Sequence, residues 1–394
     1  MKILVVCQHY YPEPFRITDI CEEWVKRGHE VTVVTGLPNY PMGEIYDGYK
    51  NKEKREENIN GVTVKRCSLI PRKSGAIFRL LNYYSFAFSS KRYLKKLKDE
   101  YDVVFVNQLS PVMMANGALA YKKKHGTKTV LYCLDLWPES LVVGGIKRGS
   151  FLYKFFHRES KRIYQGVDEI LITSKSFEDY FVKEFSIGRE KITYLPQYAE
   201  DMFSVEKCKK APDGKINLLF AGNVGKAQTV DLIVRVAKET EDVPNLCWHI
   251  VGDGSELENC KKIAEELGVE RIVFHGRKEL SEMPSVYARA DGMIVTLLAD
   301  EVLSLTLPGK VQTYMAAGKP IIAAANGEIR RTMEEAECGY CVKAEDVTLF
   351  AQAVRDFCKD VESGKSSEYG KNARAYYEKN FKKEVFFSSV EKRF

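Results

Sequence analysis

Residues 216–229 read INLLFAGNVGKAQT and carry the main information on architecture. The first six, Ile216–Ala221, form an almost wholly apolar run of strand length. A turn of small residues follows at Gly222–Gly225, and helical periodicity resumes after it. Strands that are apolar on both faces are typical of parallel sheets covered by helices. The segment therefore predicts one strand, turn and helix unit of a doubly wound α/β domain.

The same alternation of strand and helix patterns runs through the whole chain. Strand-like segments of the first half are Ile3–Cys7, Val31–Thr35, Val62–Cys67, Val103–Asn107, Thr129–Cys133 and Glu169–Ile172. Those of the second half are Ile216–Ala221, Trp248–Val251, Ile272–His275, Met293–Leu297, Pro320–Ala325 and Gly339–Val342. Helix patterns such as Ile17–Arg27 and Tyr83–Lys98 lie between strands. Repeated strand–helix–strand units imply parallel sheets.

The length and a restart of the pattern predict two domains. A chain of 394 residues is too long for one compact core. We expect an N-terminal Rossmann-like domain over residues 1–200 and a C-terminal Rossmann-like domain over residues 201–375. A C-terminal helix over residues 376–394 could pack back on the first domain. Ligands of doubly wound sheets bind at the carboxyl ends of the strands, so the expected fold is α/β, two Rossmann-like domains facing a cleft.

The composition excludes several classes of protein. Hydrophobic residues make up 45% and charged residues 29% of the chain, as in ordinary globular proteins. The ten cysteines are scattered and several lie in apolar runs, which indicates reduced thiols in the cytoplasm. No apolar run approaches about 18 residues, so we expect neither a membrane span nor a secretion signal.

The turn that follows Ile216–Ala221 is a candidate phosphate site. A glycine turn between a strand and a helix can direct backbone N–H groups and the positive end of the helix dipole toward a phosphate. The residues concerned are Gly222, Asn223, Gly225, Lys226 and Gln228. A plain tight turn is the alternative, because glycine turns after strands are common.

A second candidate lies in residues 305–320, LTLPGKVQTYMAAGKP. Pro308 suits the first turn of a helix that ends before the closing glycine and proline. Lys310 then falls in the first helical turn, where a cation is unfavourable unless an anion shares the site. Two helix starts, at residues 222–229 and 308–313, could thus converge on one diphosphate.

Several short motifs together point to a known family. In the second half they are Val251-Gly252-Asp253-Gly254, His275-Gly276, Tyr287-Ala288-Arg289-Ala290-Asp291 and Tyr314-Met315-Ala316-Ala317-Gly318-Lys319-Pro320. Their order and spacing resemble the donor domain of GT-B glycosyltransferases, in particular the large retaining family 4. Tyr10–Arg16 and Asp135–Ser140 look like a branch that builds bacterial O-antigen and capsule repeat units, including fucosamine transferases.

The resemblance implies a nucleoside-diphosphate sugar as donor, with UDP as the expected nucleotide. It also implies retention of anomeric configuration, and it implies that neither a cofactor nor a metal ion is required. The acceptor implied by the branch is a lipid-diphosphate-linked saccharide.

The sequence departs from the family at charged positions. The family usually carries a Glu-x7-Glu pair, whose second Glu holds the ribose and whose first lies near the donor sugar. Leu305 and Thr313 stand at these positions, so both carboxylates are missing. The Arg and Lys that follow the family's first glycine turn fall on Asn223 and Gln228.

Other cations would therefore have to meet the charge of the diphosphate. Lys310, Lys226 and Arg16 are the candidates. A solvated surface side chain is the favoured alternative for Lys226, whereas the helix-start position favours a functional role for Lys310. The donor-binding set is then Gly222, Asn223, Gly225, Lys226, Gln228, Gly252, Lys310, Thr313 and Glu328.

Three further residues follow predicted strands and so face a ligand crevice. Arg16 is a candidate phosphate or acceptor contact, with a helix-start surface arginine as the alternative. Asp135 could bind an acceptor hydroxyl or the donor sugar, or cap a turn. Glu328 could accept hydrogen bonds from sugar hydroxyls, or cap a helix. Arg16, Asp135 and Lys310 are the candidate catalytic residues.

The first half is basic and contains a segment rich in cations and aromatic residues. Residues 1–200 carry 32 Lys and Arg against 23 Asp and Glu, and the remainder carries 28 against 31. Residues 71–98 could form an interfacial helix on an anionic membrane or a core helix with one aromatic stripe. We expect a cytoplasmic protein, peripheral on the inner face of the cell membrane. Nucleic acid is disfavoured because no reader motif is present.

The function predicted from the sequence is glycosyl transfer from a nucleotide sugar to a hydroxyl acceptor. A GT-B sugar-nucleotide 2-epimerase is the enzymatic alternative, although the basic aromatic segment speaks against it. A non-catalytic sugar-nucleotide-binding subunit is the other alternative, because the Glu-x7-Glu pair is missing.

Overall fold

The computed structural model describes residues 1–50, 53–72, 75–143, 145–211 and 213–394. They form two compact units. The first comprises Met1–Thr173, Phe177–Leu195 and Val390–Phe394, and the second comprises Ser174–Ser176 and Pro196–Ser389. The main division thus falls at residue 195, five residues before the predicted boundary. The division comes directly after Ile192–Tyr194, a short last strand of the first sheet that the sequence pattern did not predict.

The first unit is built on an eight-stranded sheet. Its strands are β1 (Lys2–Val6), β2 (Glu30–Gly36), β3 (Glu56–Ile59), β4 (Val62–Cys67), β5 (Val103–Gln108), β6 (Lys128–Cys133), β7 (Glu169–Ile172) and β8 (Ile192–Tyr194). Their order is β3-β4-β2-β1-β5-β6-β7-β8, and every pair except β3–β4 is parallel. The six predicted strands are confirmed, and β3 and β8 are additions at the two edges.

Helices separate these strands in the chain. They are α1 (Ile17–Lys26), α2 (Ala76–Lys96), α3 (Asn116–His125), α4 (Glu139–Val143), α5 (Phe151–Gly166) and α6 (Ser176–Phe185). In α1 the buried residues are Ile17, Ile20, Cys21 and Trp24. This i, i+3, i+4, i+7 spacing is the apolar stripe by which a surface helix packs on a sheet.

The second unit has a six-stranded, all-parallel sheet. Its strands are β9 (Ile216–Ala221), β10 (Leu246–Val251), β11 (Ile272–Gly276), β12 (Gly292–Thr296), β13 (Ile321–Ala324) and β14 (Gly339–Val342). The order is β11-β10-β9-β12-β13-β14. All six strands predicted for the second half are confirmed, because apolar runs of this length leave few alternatives.

The described residues of this half of the chain form eight α-helices. They are α7 (Val230–Glu239), α8 (Leu257–Glu266), α9 (Met283–Tyr287), α10 (Gly309–Ala316), α11 (Glu328–Ala336), α12 (Val347–Glu362), α13 (Ser366–Asn380) and α14 (Lys383–Glu391). The C-terminal segment predicted as one helix over residues 376–394 is therefore parts of two helices. Only its last five residues, Val390–Phe394, belong to the first unit.

All ten cysteines are free thiols. Cys338, just before β14, and Cys341, within it, are separated by two residues and form a CxxC pair, so an expectation that the chain lacks such a pair is wrong. None of the described helices combines the length and the apolar character needed to cross a bilayer. Within the described ranges no group of three or more His, Cys, Asp or Glu is arranged to hold a metal ion.

Candidate functional site

The centre of the second sheet is where the strand order reverses. The chain proceeds from β9 outward through β10 and β11, then returns to β12 on the other side of β9. Such a reversal leaves a crevice outside the carboxyl ends of the two central strands. Gly222 directly follows β9, and the segment that leads to α10 follows β12. The two predicted phosphate segments therefore belong to one crevice of the second unit.

Glycines allow the loops at this end of the sheet to pack directly against each other. Gly222 and Gly252 both have a φ of +146°, a conformation that side chains disfavour. A Cβ on Gly252 would lie 1.8 Å from the carbonyl oxygen of Gly222, and one on Gly254 would lie 2.4 Å from that of Val224. The loops after β9 and β10 therefore approach too closely for any side chain to stand between them.

The turn after β9 offers fewer free backbone donors than its sequence suggests. The N–H of Gly222 donates to the carbonyl oxygen of Val251 at the end of β10, and the N–H of Val224 donates to that of Asp253 in the loop after it, each at 2.9 Å. The N–H groups of Asn223 and Gly225 have no hydrogen-bond partner among the described residues. These two amides are the ones available to a ligand.

The predicted helix start at residues 222–229 is wrong in its position. A short 3₁₀ turn occupies Lys226–Gln228, and α7 begins only at Val230. The cause is Thr229, whose φ of +40° places it in the left-handed region between the two elements. The positive end of the α7 dipole is therefore separated from the glycines by this turn.

The polar side chains of the turn largely satisfy one another. The side-chain amide of Asn223 donates to Oε1 of Gln228 at 3.1 Å. A Cβ on Gly225 would lie 2.6 Å from Nδ2 of Asn223, so this pair packs against the bare glycine. Lys226 is exposed, as its surface alternative predicts. The turn thus presents a fixed pair of amide side chains, and its lysine is solvated.

Lys310 is the second residue of α10, which begins after Pro308 as the sequence predicts. Its Nζ lies 3.9 Å from the centroid of the Phe220 ring and 2.7 Å from the position of a Cβ on Gly222. This Nζ is buried and has no hydrogen-bond acceptor among the described residues. Burial lowers the pKa of Lys310 to about 7.

A buried ammonium without an acceptor is costly, and a helix N-terminus adds to the cost. The contact with the Phe220 ring offsets only part of it, since cation–π pairs contribute about 0.5–2 kcal/mol. Ionisable groups in such a state concentrate at functional sites. A bound anion would therefore supply the hydrogen-bond acceptor and the negative charge that Nζ of Lys310 lacks.

The positions of the missing carboxylates contribute no charge. Thr313 Oγ1 donates to the carbonyl oxygen of Gly309 at 2.8 Å, one turn earlier in α10. Its lone pairs remain able to accept a hydrogen bond from a ligand hydroxyl. Leu305 takes part through its backbone, because its carbonyl oxygen accepts from the hydroxyl of Ser174.

The structure contradicts a free, sugar-binding Glu328. This residue begins α11 and is only 1% exposed. Its carboxylate accepts from the backbone N–H groups of Lys175 and Ser176, each at 3.1 Å, and from the Ser176 hydroxyl at 2.6 Å. Arg331 completes its contacts. A buried carboxylate needs such partners, and they leave it unavailable to a ligand.

In the first unit the strand order reverses between β1 and β5. Arg16 stands at the start of α1, in the loop after β1, and is half-buried. Its positive charge opposes the rise that burial causes in the pKa of Tyr132 on β6. Arg16 is therefore close enough to Tyr132 for its charge to act on the phenol.

Asp135 follows β6 and links two loops of the first unit. Its Oδ2 accepts from the backbone N–H of Ser110 at 3.1 Å, and its carbonyl oxygen accepts from the Gln108 amide at 3.0 Å. Burial raises the pKa of the carboxyl, and the hydrogen bonds from Ser110 oppose this rise. The side chain is nevertheless exposed, so water offsets part of the burial. Oδ1 has no described partner and is open to a ligand.

Glu13, which was not among the predicted site residues, is a buried carboxylate of the same unit. Glu13 Oε1 accepts from the backbone N–H groups of Asn39 and Tyr40 at 2.9 and 2.7 Å and pairs with Nδ1 of His9 at 3.0 Å. Its Oε2 accepts from the N–H of Tyr10 at 3.3 Å. Glu13 therefore fixes the loop after β1 against the loop after β2. A lone Glu in an aromatic, proline-rich loop gives little sequence signal for this role.

Comparison with known proteins agrees with this geometry. Residues 15–197 match the family model "Glycosyl transferase 4-like domain", and residues 204–376 match "Glycosyl transferases group 1". The chain is 26% identical to the putative colanic acid biosynthesis glycosyl transferase WcaI of Escherichia coli, over 90% of this chain and 91% of that protein. It is 28% identical to the probable glycosyltransferase WbjE of Pseudomonas aeruginosa, over 59% of this chain and 60% of that one.

The solved structures agree on the fold. Anabaena Alr3699/HepE in complex with UDP superposes with a TM-score of 0.72 at 14% identity, over 100% of this chain and 99% of that one. An identity this low shows the fold alone. Two parallel-sheet α/β domains of this kind define the GT-B class of transferases. Together with the two family models, they show that the chain belongs to family 4 of the GT-B glycosyltransferases.

Proposed function

We propose that this glycosyltransferase moves a sugar from a UDP-linked donor to a hydroxyl of a lipid-diphosphate-linked saccharide, with retention of configuration. The reaction would serve bacterial surface polysaccharide synthesis, in the cytoplasm at the inner face of the cell membrane. The similarity to WcaI extends over nearly the whole chain, and the name of that protein, a putative colanic acid biosynthesis glycosyl transferase, supports the polysaccharide role. The UDP bound to HepE supports the choice of nucleotide.

The observation that carries the proposal is the unpaired ammonium of Lys310 beside Gly222. As the glycosidic bond of the donor breaks, negative charge develops on the departing diphosphate. Lys310 and the open amides of Asn223 and Gly225 would stabilise that charge without having to reorganise. They also supply the positive charge for which other transferases use a metal ion, so we expect activity to survive EDTA.

Retention without an enzymatic nucleophile fits a front-face mechanism. In it the leaving β-phosphate itself removes the proton of the acceptor hydroxyl. We assign Arg16 and Asp135 of the first unit to the acceptor. The open Oδ1 of Asp135 would accept a hydrogen bond from a sugar hydroxyl, and Arg16 would contact the acceptor's phosphate.

The surface of the first unit supports a membrane-bound acceptor. Helix α2 has a buried face that includes Phe86 and Leu94, both fully buried. Its opposite face exposes Phe78, Leu81, Tyr84 and Phe88, the last to 70%. The two interpretations of residues 71–98 are thus compatible, since one face belongs to the core and the other is free to contact lipid. Helix α5 adds Phe151 and Phe155, exposed to 89% and 47%.

The donor site is tested by calorimetry with UDP and UDP-sugars. Lys310→Ala should weaken binding about tenfold or more, because charge-assisted hydrogen bonds contribute roughly 1.5–3 kcal/mol each. Lys226→Ala is the matched control at the same crevice and should change the affinity less than about threefold, because an exposed lysine contributes little. Unchanged affinity in Lys310→Ala would remove Lys310 from the donor site.

A non-catalytic sugar-nucleotide-binding subunit is the second candidate, favoured by the missing charge at Leu305 and Thr313. The purified protein incubated with labelled UDP-sugars and a bacterial lipid extract distinguishes the two. Transfer to lipid, or slow hydrolysis of one donor, identifies an enzyme. Binding of a donor without either reaction would identify the subunit.

A further inference from the structure

A groove lies at the amino-terminal ends of the strands in the second unit. Its volume is 580 Å³, and its lining includes Lys209, Lys215, Asn217, His249, Arg271 and Arg289. We call it the histidine groove. Asn217 is the second residue of β9, whereas Gly222 follows the end of that strand, roughly 16 Å further along. The groove is therefore separate from the candidate donor site.

A chain of hydrogen bonds runs from the groove lining, at Asp213, Asn217 and His249, to His275 beyond it. The side-chain amide of Asn217 donates to Oδ2 of Asp213 at 2.7 Å, so its oxygen faces Nε2 of His249 at 3.0 Å. His249 must then carry its proton on Nε2, which leaves Nδ1 to accept from Nε2 of His275 at 3.0 Å. Asp213 thus orders both imidazoles. Of their four ring nitrogens, Nδ1 of His275 is the one without a hydrogen-bond partner among the described residues.

The cations around the groove are incompletely neutralised. Lys209, Lys215 and Arg289 are exposed and have no ion pair among the described residues. Arg271 donates to backbone carbonyl oxygens rather than to a carboxylate. The lining has two acidic residues, Asp213 and Glu270, and of these Glu270 has no ion pair among the described residues. Positive charge therefore predominates.

Lys210 and Asp213 do not change this balance, because they pair with each other at 2.8 Å. Lys210 also pairs with Asp291 at 2.6 Å. The lysine is therefore fully engaged and adds no free cation to the groove.

The two imidazoles respond to this excess of positive charge. Burial, followed by the charges of His275 and Arg289, lowers the pKa of His249 to about 4. Burial lowers the pKa of His275, and the positive charges of Arg289 and Lys278 lower it further. Asp213 acts in the opposite direction on His249, and Lys215 acts in the same direction as Arg289. An anion in the groove would relieve this repulsion.

We propose that the histidine groove binds the phosphate group of a small phosphorylated molecule, independently of glycosyl transfer. Arginine offers a planar fork of donors that matches a phosphate, and lysines add charge. His275 is hydrogen-bonded to His249 and is not part of the lining, so the bound anion acts on the proton affinity of His275 through its charge and not through contact. The volume lies in the range of about 300–1,000 Å³ that is usual for small-molecule sites.

The six histidines of the chain make an NMR test selective. Four of them, His9, His29, His125 and His157, lie in the first unit and serve as internal references. Inorganic phosphate is added to the whole protein at constant ionic strength. The imidazole signals of His275 and His249 should shift saturably, with His275 gaining proton occupancy, while chloride at equal ionic strength should not reproduce the shift.

Matched variants locate the site. Arg289→Ala should weaken the phosphate response at least about fivefold, in line with the loss of one charge-assisted contact. Lys262→Ala should leave it unchanged, because α8 packs on the opposite face of the sheet through Leu257 and Cys260. Lys310→Ala should also leave it unchanged. If Arg289→Ala lowers the unfolding temperature, Lys215→Ala provides a second variant at an exposed position.

Any one of three results would overturn the proposal. One is the absence of a saturable shift up to about 50 mM phosphate. Another is an equal response in wild type, Arg289→Ala and Lys215→Ala, which would mean general ionic screening. A response lost in Lys310→Ala would equally overturn it, because the phosphate would then be acting from the donor site. Glucose 1-phosphate binding more tightly than phosphate would identify a phosphate ester as the ligand.

Discussion

The ammonium of Lys310 occupies a position where burial, the lack of an acceptor and the positive start of α10 all disfavour its charge. The folded pKa of about 7 lies below the ordinary value of 10.5. The unfolded chain therefore binds more protons than the folded one between these values. This group destabilises the fold at neutral pH, and the destabilisation fades as the pH rises from about 7 toward 10.5. A bound diphosphate would instead favour the protonated form of Lys310, and the charge of this residue would then stabilise the folded, ligand-bound protein.

Donor affinity should consequently depend on pH. A UDP-sugar does not titrate near neutrality, so its affinity should fall as the pH rises above about 7 and free Lys310 loses its proton. The fall should be at most about tenfold per pH unit. Calorimetry in buffers of different ionisation enthalpy should show proton uptake on binding at about pH 8. Lys310→Met should abolish both effects, and a pH-independent wild-type affinity would contradict the assignment.

Arg16 is the residue of the first unit for which we predict a kinetic role. Arg16→Ala should lower turnover about tenfold or more, because the acceptor's phosphate would lose the charge-assisted contact that positions its hydroxyl for attack. Folding and donor affinity should stay close to those of wild type. Lys26→Ala, at the exposed end of the same helix, is the control. Wild-type turnover in Arg16→Ala would return Arg16 to the class of surface residues.

At the scale of elements, the sites depend on how loops at the strand ends are held together. Glu13 joins the loops after β1 and β2 by accepting from backbone N–H groups of both. In the second unit no such bridge is needed, because Gly252 and Gly222 bring the loops after β9 and β10 into direct contact. The first unit therefore holds its loops together with a buried carboxylate. In the second unit the loops come into contact because glycine has no side chain to keep them apart.

Gly252→Ala tests that contact. The new Cβ would meet the carbonyl oxygen of Gly222 at 1.8 Å in a disfavoured backbone region, so we expect a loss of about 3 kcal/mol or more in unfolding free energy. Gly268→Ala is the control, because its φ of +62° is left-handed but nothing lies within 4 Å of the added atom. It should cost about 1–2 kcal/mol. Equal urea midpoints for the two variants would show that the loops can separate freely.

At the scale of the whole molecule, charge and exposed apolar surface coincide. The basic excess of the chain resides in residues 1–200. The same part carries the exposed aromatic residues of α2 and α5. Large exposed apolar side chains beside cations are typical of surfaces that contact lipid. The second half has an acidic balance.

We therefore predict binding to anionic vesicles through the first unit. Co-sedimentation should weaken with salt, because each cation near an anionic surface contributes about 1 kcal/mol that screening removes. Phe151→Ser with Phe155→Ser should remove the salt-resistant part, and Lys91→Glu with Lys95→Glu the salt-sensitive part. Lys261→Glu with Lys262→Glu on α8 is the control. Equal binding by all variants, or none by wild type at low salt, would contradict a membrane role.

The sequence by itself determined the features that depend on neighbours along the chain. Strand β9 and helix α10 were predictable because an apolar run and Pro308 act over a few residues. Strands β3 and β8 were missed because they are short and lie at the sheet edges, where polar residues are tolerated. Position 310 was likewise recognisable as the start of a helix.

Only the tertiary structure decided which side chains are free to bind. Lys310 is unpaired because Phe220 and Gly222, some 90 residues away in the chain, surround it. Glu328 is occupied because backbone N–H groups about 150 residues earlier reach its carboxylate. Burial and hydrogen-bond pairing arise between residues that are distant in sequence. A local pattern therefore identifies the charge of a side chain, while the folded chain determines its partner.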